Sequence, residues 1–178
     1  MSTLFVDTIN EKTSGNGIAI PGHVVQVVHA QDTTSGTGLV STADTYASTG
    51  LSVTITPKFA NSMLIGSCTF NYWFGTGSPS NYCVSTIYRG STNLAGLAQT
   101  VASAPYSSHP DGPDLQWNVS QDPLGSSNAS VTMPFMDKPN TTSATTYTLY
   151  CRMYNTPDQM SINWDNQAAS IQIMEIAQ

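Results

Sequence analysis

The stretch Leu51-Ser52-Val53-Thr54-Ile55-Thr56 alternates apolar and hydroxyl side chains without a break. Successive side chains of an extended chain point to opposite faces, so this pattern reads as a strand with one face in a core and the other in water. Pro57 closes it, because proline has no N–H to give to a ladder. Before it, His23 to His29 (HVVQVVH) reads as a strand, and Gln31 to Thr49 as a polar linker rich in Thr, Ser and Gly. After it, Met63 to Phe74 is a long apolar strand closed by the Gly75 to Pro79 turn, and Tyr82 to Tyr88 answers it as the second arm of a hairpin. Arg89-Gly90-Ser91 turns the chain again.

Further along, Leu94 to Val101 fits a strand or a short helical turn, and Pro105 to Pro123 is a proline-rich loop with a short strand possible at Leu115 to Val119. Ala129 to Met136, Thr145 to Tyr154, Met160 to Trp164 and Ala169 to Ile176 complete the strands, with a turn at Pro139-Asn140. No segment sustains helical periodicity with capping signals. Roughly seven to nine short strands, with turn signals between them, imply an all-β antiparallel sandwich of the jelly-roll kind.

Composition narrows the function. Charged residues make up 9% of the chain, against about 25% in an ordinary soluble domain. Ser, Thr, Asn and Gln take their place, which suits pleated surfaces and turns rather than helix surfaces. The net charge is −6, and the only cations are Lys12, Lys58, Arg89, Lys138 and Arg152, without a cluster. Nothing here neutralises a phosphate backbone or an anionic membrane. No apolar stretch reaches membrane-spanning length.

Cys68, Cys83 and Cys151 stand in apolar runs with no CxxC and no histidine at ligand spacing, so no metal is expected. They read as buried thiols, with one bridge, Cys68–Cys83 or Cys68–Cys151, left open. No cofactor motif is present. The three histidines lie outside any nucleophile or HExxH context, and Asp111, Asp114 and Asp122 in a Pro/Gly-rich loop read as turn formers rather than a glycosidase pair. The chain is expected not to be an enzyme.

Residues 1–22 differ from the rest. Leu4-x-Val6-x-x-Ile9 is a short strand, Gly15-Asn16-Gly17 a turn, and Ile18-Ala19-Ile20 a second short strand stopped by Pro21-Gly22. Strands this small cannot bury a face alone. They need copies of themselves or a socket on a larger particle, which makes Leu4, Val6, Ile9, Ile18 and Ile20 candidate docking residues. Residues 23–178 are then the head. The opening MSTLFVDTINEK has no basic region followed by an apolar one, so no secretory leader is expected and a secreted lectin-like module is disfavoured.

At this point three blocks become recognisable. MSTLFVDTINEKTSGNGIAIPGHVVQVV, TGLSVTITPKFANSMLI and the closing ASIQIMEI resemble blocks of virion structural proteins of tailed phages, especially phages of cyanobacteria and other aquatic bacteria. Together they span most of the chain outside residues 94–137. The resemblance implies a homotrimer whose head is a jelly roll similar to the complement C1q and tumour-necrosis-factor type, carried on an N-terminal segment that docks onto other virion proteins. It also implies assembly in a bacterial cytoplasm, release by lysis and a place on the virion surface. Some trimeric phage tips carry axial His-x-His metal sites; here His23 and His29 stand alone, so no metal is carried over.

Two loops mix aromatics with amides and carboxylates, the tools of sugar recognition: Tyr106, Asp111, Asp114, Trp117 and Asn118 in the first, and Trp164, Asp165 and Asn166 in the second. Tyr72, Trp73, Phe74 and Tyr82 form a third aromatic group. Tyr82, Tyr88, Tyr147, Tyr150 and Tyr154, with seven methionines, suit a subunit interface, where Tyr and Met are enriched. The expected function is a tail fibre or spike attaching to a host surface glycan; the alternative is a capsid decoration, cement or head-fibre protein.

Overall fold

The computed structural model describes residues 8–11, 18, 20–34, 37–41, 45–74, 83–94, 127–153, 158–163 and 167–178. Ten strand segments follow one another: β1 Val24–Asp32, β2 Thr37–Ser41, β3 Ala47–Ile55, β4 Met63–Phe74, β5 Cys83–Arg89, β6 Thr92–Asn93, β7 Ser127–Asp137, β8 Thr145–Met153, β9 Asp158–Ile162 and β10 Ala169–Ile176. No helix occurs among the described residues.

The ladders form two antiparallel sheets. In the first, β4 pairs with β7 along one edge, and its other edge is shared by β10 at one end and β9 at the other. β1 then lies outside β10, and β2 outside β9. β9 and β10 are therefore one strand interrupted at residues 163–168, and β1 and β2 one strand interrupted at residues 33–36. Asn163 holds the break. It adopts a left-handed backbone (φ 57°), which Asn tolerates better than most residues. Its N–H donates to the Asn71 carbonyl at 3.0 Å and its Nδ2 to the Asp32 carbonyl at 3.3 Å.

The second sheet has the order β3-β8-β5-β6. With each interrupted strand counted once, the ten segments reduce to eight strands in two sheets of four, ordered first-eighth-third-sixth and second-seventh-fourth-fifth. That is jelly-roll connectivity. The expected all-β sandwich is present.

Alternation sets the core. In β3, Leu51, Val53 and Ile55 are buried while Ser52 and Thr54 are exposed. They meet Leu64, Phe70 and Tyr72 of β4, Val131, Met133 and Phe135 of β7, and Ile171 and Ile173 of β10 in one cluster. Each such side chain contributes roughly 1.5–3 kcal/mol by leaving water.

The expected hairpin between Met63–Phe74 and the strand at Tyr82 to Tyr88 is not formed. β4 and β5 lie in different sheets, and β5 pairs with β8 and β6. A glycine- and proline-rich connection reads as a turn whether it joins neighbours or crosses the sandwich. The polar linker Gln31 to Thr49 also contains a strand, β2, and the start of β3. Leu94 is buried, and the expectations for residues 95–126 lie outside the described residues.

The sandwich has two distinct ends. At one, the turn between β3 and β4, the Gly90 turn between β5 and β6 and the connection from β7 to β8 gather beside Gly22, whose N–H donates to the Ala177 carbonyl at 2.8 Å. The N-terminal stretch and the C-terminus thus meet at this end. At the other end lie the strand termini Ser41, Ala47, Phe74, Cys83, Ser127, Met153 and Asp158, which the longer connections join.

Candidate functional site

The recognition residues expected from sequence, Tyr106, Asp111, Asp114, Trp117, Asn118, Trp164, Asp165 and Asn166, lie outside the described residues, as do Leu4 and Val6. What the structure places is their attachment. The first group belongs to the connection reaching β7 at the end opposite the chain termini, and the second to the interruption between Asn163 and β10. Of the docking candidates, Ile18 is half-buried while Ile9 and Ile20 are 56% and 37% exposed.

The aromatic groups divide by strand face. Tyr147 faces inward with Leu149 and Cys151 and is fully buried, so it belongs to the core and not to a subunit interface. Its hydroxyl donates to Asp137 Oδ2 at 2.6 Å, and Arg89 Nη1 donates to both Asp137 oxygens at 2.8 Å. Burial, then the Asp137 carboxylate, push the phenol well above its ordinary range. Arg89 and Tyr147 come from one sheet and Asp137 from the other, so the trio braces the sandwich near the chain termini. Tyr72 likewise turns inward, while Trp73 on the opposite face of β4 is half-buried. Tyr82 and Tyr154 lie outside the described residues.

Tyr88 and Tyr150 do face outward, on the second sheet, with ring centroids 4.1 Å apart. Tyr46 meets Tyr88 edge-on at 5.9 Å, and the Arg152 guanidinium lies 4.9 Å from the Tyr46 centroid. Arg152 alternates with inward-facing Cys151, yet it is itself buried. Sequence reading missed both Tyr46, set in a polar stretch, and the role of Arg152. A cation between two tyrosine-bearing turns of strand was the available signal. The stacked rings make a packed cluster more than a flat platform.

Cys68 and Cys151 are both buried and neither forms a disulfide; a Cys68–Cys151 bridge is therefore not formed. Burial pushes the Cys68 thiol up to about 12, which leaves almost no thiolate at neutral pH. Neither thiol is expected to react with a thiol-specific chromogenic reagent in the native protein, and both should react in denaturant; rapid native labelling at either position would contradict their burial.

A fourth feature was not expected. The outer face of the first sheet carries a row that crosses all four of its strands in register: Val27 opposite Met174, Met174 opposite Ile65, Ile65 opposite Met136. A second row, Val24 with Ile176 and Ile176 with Met63, lies beside it. Val24, Val27 and Met136 are 52%, 57% and 46% exposed, and the other four are half-buried. The neighbouring rows turn polar, with Gln172 Nε2 donating to Ser67 Oγ at 3.0 Å and the Thr69 and Thr132 hydroxyls 3.0 Å apart. The signal in sequence was apolar residues at both phases of HVVQVVH, MLI and IMEI, where a half-solvated strand would alternate.

Among the described residues no group of three or more His, Cys, Asp or Glu could hold a metal ion. The fold and these surfaces define a jelly-roll-like β-sandwich with one apolar outer band. No family model matches the chain, and no curated protein matches it.

Proposed function

We propose that this chain is a structural subunit of a tailed-phage virion, a homotrimeric tail fibre or spike that docks through residues 1–22 and adsorbs to a host surface glycan through distal loops. The observation that carries this reading is the polarity of the head. The N-terminal stretch leaves beside the C-terminus at one end, and the strand termini joined by the longer connections lie at the other. A head built this way sets its docking segment at the end opposite the start of β7, where the connection bearing Trp117 arrives, an arrangement suited to an adsorption module. Sparse charge supports close packing of identical copies, since like charges would otherwise meet across a symmetry axis.

Immunogold labelling of purified particles tests the assignment. Label on the tail is the expected result, label on the capsid shell favours the decoration reading, and absence from particles overturns both. For recognition, the purified protein is expected to compete with particles for adsorption to host cells. Trp117→Ala and Asp114→Ala should each reduce that competition several-fold with folding intact. Unchanged competition would remove the loop holding Tyr106, Asp111 and Asn118 from the proposal.

A further inference from the structure

We infer that the first sheet is a force-bearing clamp: tension between residues 1–22 and the distal connections runs lengthwise through β1, β10, β4 and β7, and the β1–β10 ladder resists it in shear. The clamp rests on the docking and adsorption reading above and states what keeps a head so used folded under load.

Topology sets the path. Gly22 enters at one end, where its N–H donates to the Ala177 carbonyl at 2.8 Å and the Ala177 N–H donates to the His23 carbonyl at 3.0 Å. From there β1 pairs with β10, from Val24 opposite Ile176 to Asp32 opposite Ala169. β10 pairs in turn with β4, from Ile176 opposite Met63 to Ser170 opposite Thr69. β4 then pairs with β7, from Leu64 opposite Asp137 to Phe74 opposite Ser127. Phe74 and Ser127 stand at the far end, where the β4–β5 connection leaves and the connection bearing Trp117 arrives. A pull between the two ends is therefore parallel to every strand on the route.

Direction matters because the hydrogen bonds of an antiparallel ladder lie perpendicular to its strands. Each bond is weak by itself. A force along the strands strains all the bonds of the β1–β10 ladder together, whereas a force that parts the strands at one end breaks them one after another. Side chains resist sliding as well. A shift of β1 by one residue would turn Val28 and Ala30 away from the core they pack against and bring exposed His29 inward. The same shift would draw Gln26 off Glu175, to which its Nε2 donates at 2.5 Å while also donating to the Thr56 carbonyl at 2.8 Å. Ser62 Oγ at 2.6 Å and the Lys58 N–H at 2.8 Å anchor that carboxylate in the β3–β4 turn. The pin sits at the loaded end of β1, where a register shift between Val24 and Gln26 sets Gln26 opposite Glu175.

Single-molecule force spectroscopy of the full chain, with both handles on the same copy, tests the clamp. Forced unfolding reads the unfolding barrier along the direction pulled. Handles at the N-terminus and in the β4–β5 connection load the ladder lengthwise, and handles at the N-terminus and C-terminus part β1 from β10 at Gly22 and Ala177. The lengthwise rupture force is expected to be several-fold the higher at one loading rate. Equal forces, or a higher force between the two termini, would overturn the clamp. Gln26→Ala should lower the lengthwise force, and Thr54→Val, which removes a hydroxyl from the Thr54–Thr146 pair on the second sheet, should not. Equal losses in the two variants would overturn the assignment of the load to the first sheet.

A handle in the connection before β7 keeps the direction of pull and should reproduce the lengthwise force, which covers a chain that does not tolerate the first insertion. Both handle pairs use the unmodified strands, so the comparison does not depend on a variant that folds. Absence of the protein from particles would overturn the docking reading while leaving the measured difference between the two directions standing.

Discussion

Glu175→Ala is expected to cost about 4 kcal/mol of stability, lowering the melting temperature by roughly 10 °C in a chain of this size. Oε1 of this buried carboxylate accepts from Ser62 Oγ at 2.6 Å, the Lys58 N–H at 2.8 Å and the Phe59 N–H at 3.1 Å. Oε2 accepts from Gln26 Nε2 at 2.5 Å, and Gln26 also donates to the Thr56 carbonyl at 2.8 Å. One side chain thus fastens the turn between β3 and β4, which belong to different sheets, to β10 and β1. Alanine orphans the buried Ser62 hydroxyl and two part-buried backbone donors, each costing about 1–3 kcal/mol before water relieves part of it. Glu175→Gln keeps an oxygen for the three donors and should cost about half as much.

The same group sets an acid limb. Burial alone raises the Glu175 pKa, but the bonds from Ser62, Gln26, Lys58 and Phe59 outweigh it and leave the folded value below the ordinary one. A depressed folded pKa contributes stability that is fully present above the unfolded value, about 4.3, and is lost as pH falls through the folded one. Chemical denaturation at stepped pH should therefore show a decline below about pH 4.5 that is shallower in Glu175→Gln. Identical slopes in the two proteins would remove Glu175 as its source.

Gly66→Ala is expected to destabilise by about 3 kcal/mol, although it adds one methyl group in the middle of a strand. Gly66 of β4 pairs directly with Phe135 of β7, and a side chain at 66 would enter the space the Phe135 ring occupies. The ring is buried and lies 5.8 Å from Tyr147, so it has little room to withdraw. The cause is space, not backbone conformation. Gly66→Ala combined with Phe135→Leu should therefore lose clearly less stability than the sum of the two single variants. Strict additivity in urea unfolding would show that the ring and position 66 do not compete.

Much of this was readable in advance, and the misses have specific causes. The bounds of β4 and β10 are legible in the sequence, the first from a long apolar run ended by turn residues and the second from alternation over Ala169 to Ile176. Tyr147 was placed with the outward tyrosines although its odd-numbered position puts it with Leu149 and Cys151; the phase of the strand decides this, and chemical similarity to Tyr150 does not. Gly66 inside an apolar run was a visible sign of close approach, but nothing local names Phe135 as its neighbour. The apolar band was equally invisible as a unit, since its members come from four strands.

The sequence by itself determined most of the strands and, where they alternate as in Leu51 to Ile55, which side turns inward, because alternation is a property of the extended chain and needs no partner. It also determined a surface poor in charge. Only the tertiary structure decided which strands pair, that β4 and β5 part into different sheets, and that Val27, Met174, Ile65 and Met136 align. Those outcomes depend on contacts between residues far apart in the chain, which are fixed by how two sheets close over one core and not by any local preference.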